Sequence, residues 1–121
     1  MTHPCIKIAP ALLCLAATWS VSAQSLQGLY RYGAEEESFQ PCGSRKVYWI
    51  KANKRQLAPL HKLVKSHRMP GHPGHPPIYV EVTGKLGPRL KKGWAVDYDG
   101  LLKLDRVERI SQHPPISCAP G

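Results

Sequence analysis

Three histidines and a methionine crowd one short stretch of this 121-residue chain: His67, Met69, His72 and His75, with His61 a little earlier. Imidazole suits copper and zinc, and thioether sulfur suits copper. A copper- or zinc-binding site on His67, His72 and His75 is therefore one expectation. The spacing H-x4-H-x2-H argues against a closed structural site, because structural zinc takes four placed ligands and partners that orient them. Arg68 to Pro77 also holds four prolines and two glycines, a composition that forbids regular structure. The histidines then belong to a loop, where neighbours by accident are the plainer reading and ligands the alternative.

A second set combines positive charge with an aromatic ring: Arg45, Lys46, Tyr48 and Lys51. Such a set on a sheet face suits an anionic glycan or another polyanion. Its plain alternative is cross-strand packing, the usual work of strand aromatics. Catalysis has little to stand on. No serine sits in a nucleophile elbow, and no glycine-rich loop cradles phosphate. Asp97 and Asp99 flank Tyr98 in a polar connection, not in an apolar setting. Glu35, Glu36 and Glu37 read as a solvated strand edge. A non-enzymatic chain is expected.

The amino end reads as an export signal over residues 1–23. Lys7 is its only charge, an apolar run follows from Ile8 to Val21, and Val21-Ser22-Ala23 supplies the small residues of a cleavage site. The run is too short to span a bilayer comfortably, which takes ~20 residues. Leu13 precedes Cys14 where lipid attachment wants a small residue, so a soluble exported protein is expected and not an anchored one. Cleavage leaves residues 24–121 as one domain with two cysteines, Cys42 and Cys118. In an oxidising compartment such a pair in a small domain forms a bridge. Closing a loop of that length is worth about 4 kcal/mol in the chain-entropy description.

Loss of Lys7 with the leader leaves a net charge of +8. From Cys42 to His75 there are eight Lys or Arg residues, four histidines and no acid. A one-signed surface attracts anionic partners and speeds their encounter, although a solvated face without a partner looks the same in sequence. For an exported protein the expected partner is an envelope protein or an anionic envelope surface. Nucleic acid fits the chemistry but is not expected at that location.

These residues need elements to hold them. Leu26 to Tyr32 alternates as a half-buried strand, Glu35 to Gln40 follows as an exposed one, and Arg45 to Lys51 is rich in β-branched and aromatic residues. Asn53 is placed to cap a helix, and Leu57, Leu60, Leu63 and Val64 repeat at helical spacing. Pro59 moves the expected start to about Gln56, because proline is tolerated only in a first turn. Ile78 to Leu86 alternates cleanly, with Ile78, Val80, Val82 and Leu86 on one side. Leu101 to Ile110 forms the last strand, and the parity change between Leu104 and Val107 predicts a bulge. Three strands, a helix and two strands is the order of the five-stranded Greek-key barrel, the OB-fold.

With those residues in view, the chain resembles the C-terminal OB domain of the NlpE family of envelope-stress and copper-homeostasis lipoproteins. The resemblance rests on LQGLYRY (Leu26–Tyr32), SFQPC (Ser38–Cys42), the RKVYWI strand, the leucine-spaced helix, IYVEVTGKLGPR (Ile78–Arg89) and the strand ending near Ile110 ahead of Cys118. It covers most of residues 24–121 and implies an OB barrel, an envelope location and a structural disulfide. The family's lipocalin-like amino-terminal domain and lipobox have no counterpart here. Copper signalling, surface sensing and contact with a sensor kinase are therefore not carried over.

Overall fold

The computed structural model describes residues 23–67 and 75–118. Apart from Ala23, the expected leader lies outside them, as do Met69 and His72.

Strict alternation is what makes β4 (Ile78–Gly87) a strand: Ile78, Val80 and Val82 are buried on one side, and Glu81, Thr83 and Lys85 stand on the other. The same logic places Tyr30 of β1 (Gln24–Gly33), Phe39 of β2 (Glu36–Pro41), Ile50 of β3 (Tyr48–Lys51) and Leu102 and Leu104 of β5 (Gly100–Ser111) in one core. The strands close in the order β1-β2-β3-β5-β4, with β4 returning to β1. β3 and β5 run parallel, and every other pair is antiparallel. The fold is thus a closed, five-stranded OB-like barrel with, among the described residues, one α-helix, α1 (Lys54–Ser66), between β3 and β4.

Helix α1 closes the barrel with Leu57, Leu60 and Val64. Asn53 and Gln56 cap it reciprocally: the Gln56 backbone N–H donates to Asn53 Oδ1 at 2.9 Å, and the Asn53 N–H donates to Gln56 Oε1 at 3.1 Å. Gln56 Nε2 also donates to the Asp105 carbonyl at 2.7 Å, so one side chain both starts the helix and ties it to β5. With this cap the helix begins at Lys54, earlier than Pro59 led us to expect. Pro59 sits on the exposed face, where the carbonyl deprived of its N–H partner can turn to water.

Two further expectations change. β2 is not an edge, because barrel closure pairs it with β1 on one side and β3 on the other, and Ser38 and Phe39 are fully buried. β3 is short, and Arg45, Lys46 and Val47 form the connection leading into it. The bulge in β5 is present: the register with β4 slips once between Arg109 and Val107 and again between Arg106 and Leu104.

A smaller cluster lies outside the barrel. Leu29 and Tyr79 point away from the core and are covered by Cys118, which a disulfide joins to Cys42 just after β2. The carboxyl-terminal tail is thereby held against β1 and β4.

Candidate functional site

The outer surface of β3 and β5 follows from parity. Ile50 and Leu102 face the core, so Trp49, Lys51, Leu101 and Lys103 face outward. The connection from β4 to β5 folds over this surface through a short 3-10 turn, Trp94–Asp97, entered from Gly93 at φ 93°. A positive φ of that size is open to glycine and strained for other residues. The turn sets the Trp94 ring against Trp49 edge-to-face, with centroids 4.3 Å apart, while Tyr98 packs on Trp49 from another side at 5.5 Å. Burial, with Glu36 and Asp97 close by, holds the Tyr98 phenol above its ordinary pKa, so it stays neutral.

A shallow groove of about 350 Å³ results, lined by Trp49, Lys51, Leu90, Lys92, Gly93, Trp94, Ala95 and Leu101. Its lining contains two lysines and no acid. Trp94 remains 58% exposed, which is unusual for so large an apolar ring already in contact with a second one. An open aromatic surface beside cations, at the β3 face and the β4–β5 loop, overlaps part of the surface on which OB-folds take oligosaccharides and oligonucleotides, although no residue of β2 lines it.

Of the basic set read from sequence, only Lys51 lines the groove. Tyr48 packs against the core under Gly100, since its parity is that of Ile50. Arg45 and Lys46 are exposed in the loop before β3, outside the lining. Trp49, Trp94 and Lys92 were not singled out as ligand residues. Trp49 was within reach, because the alternation through Ile50 sends it outward. Trp94 was not, because its position depends on a turn between distant strands.

No family model, no curated protein and no solved structure matches this chain. The site has to be argued from its own geometry.

The histidines divide. His67 and His75 border the proline-rich segment in sequence, each with a buried Nδ1 that finds no hydrogen-bond partner among the described residues. His72 lies outside those residues. Among the described residues, no three His, Cys, Asp or Glu side chains are grouped closely enough to hold a metal ion.

His61 has a different use. Its Nε2 lies 2.6 Å from Glu37 Oε2, and its ring stacks on Tyr32 at 3.9 Å and 19°. The same carboxylate oxygen accepts from the hydroxyl of buried Tyr30. Glu37, read earlier as part of a solvated edge, is instead the hinge of a polar cluster that fastens α1 to β1 and β2. Burial first, and the neighbouring carboxylate second, push the Tyr30 phenol far above its ordinary pKa of 10. A group whose folded pKa is raised contributes stability below its unfolded value and loses it as pH climbs beyond. Denaturant melts should therefore show stability falling above pH ~10, by up to ~1.4 kcal/mol per pH unit for this one proton. Tyr30→Phe should flatten that alkaline limb while costing about 1 kcal/mol at pH 7. An unchanged limb would show that the phenol is free to ionise in the fold.

Proposed function

We propose that this protein is a non-enzymatic binding module of the bacterial envelope, exported to an oxidising compartment, that engages its partner through the outer face of β3, β5 and the β4–β5 loop. One observation carries the reading: a half-exposed tryptophan, Trp94, propped against Trp49 in a groove flanked by Lys51 and Lys92 and free of acids. A ring left open at that cost in hydration is accounted for by a ligand that covers it. The Cys42–Cys118 bridge supports an oxidising location. The likeness of LQGLYRY and IYVEVTGKLGPR to the NlpE C-terminal domain supports a role in envelope homeostasis or stress signalling. Among the described residues, no helix is long and apolar enough to cross a membrane.

The test compares what immobilised residues 24–121 retain from an envelope extract with what the Trp94→Ala, Lys51→Glu variant retains. At least one component should be held by the first and lost from the second. Identical profiles would remove this face as the binding surface.

A further inference from the structure

Three lysines from three strands form one row on this face. Lys103 of β5 is the register partner of Lys51 on β3 and of Lys85 on β4, and all three stand on the outward side. Neighbouring strands lie about 4.8 Å apart, so the row crosses roughly 10 Å. Like charges directly opposite one another destabilise a sheet. Elsewhere the same strands match their charges: Glu81 lies opposite Arg109, and Arg106 meets Glu108 at 2.9 Å. Among the described residues, no carboxylate lies within ion-pair distance of any lysine of the row. Next to it, two residues along each strand, runs the row Trp49, Leu101, Gly87, with Trp94 above it. An apolar strip thus borders a cationic one.

We infer, on the footing of the binding face proposed above, that the ligand is an acidic glycan. One sugar ring lies on the open indole of Trp94 beside Leu101, and carboxylate or phosphate groups of the chain lie along Lys51, Lys103 and Lys85. The choice follows from the shape of the face. Single-stranded nucleic acid needs a series of stacking platforms for successive bases, whereas among the described residues Trp94 is the one largely exposed indole, Trp49 being partly covered by Trp94 and Tyr98. A membrane-docking surface presents a broad apolar face, whereas among the described residues of this face only Leu90 and Trp94 are exposed large hydrophobics. The two strips are about 7 Å apart along the strands, which lets a saccharide present a ring to one and an anion to the other.

Affinity electrophoresis of residues 24–121 at physiological ionic strength tests this with four probes: polygalacturonate, dextran, oligothymidylate and phosphatidylglycerol vesicles. Polygalacturonate should retard the protein and dextran should not. Trp94→Ala should weaken retardation about tenfold, the scale of one lost stacking contact. Lys51→Glu with Lys103→Glu should abolish it, while Lys62→Glu with Lys65→Glu on α1, an equal change in charge, should leave it intact. Retained disulfide and an unchanged melting temperature establish that the variants fold. If oligothymidylate or vesicles bind with the same dependence on Trp94 and the lysine row, the glycan is overturned and the binding face stands. If the α1 pair matters as much as the row, or if no probe depends on Trp94, both are overturned.

Discussion

Serine at both Cys42 and Cys118 lowers the melting temperature of residues 24–121 by roughly 15–30 °C. The expectation starts from chain entropy. The bridge joins positions 76 apart, and releasing a loop of that length frees the unfolded chain by about 4 kcal/mol. A domain of this size has a total stability of only about 5–15 kcal/mol, and each kcal/mol moves its midpoint by roughly 4–8 °C. Local packing adds to the loss. The bridge presses the tail over Leu29 and Tyr79, two apolar residues that face away from the barrel and would otherwise meet water. Reduction with dithiothreitol should reproduce the double substitution, and its midpoint should fall by the same amount. A shift below about 5 °C in either experiment would mean that the barrel holds itself, leaving the bridge to order the tail alone. The large shift ties folding to an oxidising compartment: in a reducing cytosol the chain would lose a major part of its margin.

The sequence made local features visible and hid those created by distant pairing. Ile78, Val80 and Val82 announce β4 by parity, and the break between Leu104 and Val107 announces the bulge, because each depends only on a residue's near neighbours. Asn53 announces the cap, but Pro59 put the expected helix start at Gln56 where the helix begins at Lys54. Strand order gave the barrel by analogy with a known arrangement. Glu37 misled, because three consecutive glutamates look solvated until Tyr30 and His61, brought in from β1 and α1, claim one of them. The proposed binding face was half legible. Lys51 stood out by its charge, whereas Trp94 reaches Trp49 through the turn after Gly93. The lysine row was invisible, because Lys51, Lys85 and Lys103 become neighbours only once β3 and β4 take their register against β5.

Two seams of the barrel leave no room for a side chain at a glycine, and a single methyl group exposes this. Alanine at Gly28 or at Gly100 should each cost about 3 kcal/mol, the upper part of the usual range for overpacking. At Gly28 the added Cβ would fall on the Gln40 carbonyl oxygen of the paired strand and 2.6 Å from the ring of Phe39. At Gly100 it would fall on the Gly87 carbonyl and 2.9 Å from the ring of Tyr48. In both places one obstacle is backbone, which no side-chain rotation clears, and the other is an aromatic ring packed in or against the core. Gly28 faces inward where Phe39 fills the barrel between β1 and β2, and Gly100 opens β5 where it first pairs with β3. Gly33 supplies the control. A Cβ there meets nothing within 4 Å, so Gly33→Ala should change stability by less than about 0.5 kcal/mol. Urea titration of the three variants separates the outcomes. If Gly28→Ala and Gly100→Ala prove as mild as Gly33→Ala, the strands can move apart without cost. A mild Gly100→Ala would mean in particular that β5 can shift against β3 and β4, and Lys51, Lys85 and Lys103 would lose the fixed spacing on which the acidic glycan depends. If Gly100→Ala is severe, the close seam where β5 meets β3 and β4 helps hold three like charges in line against their own repulsion.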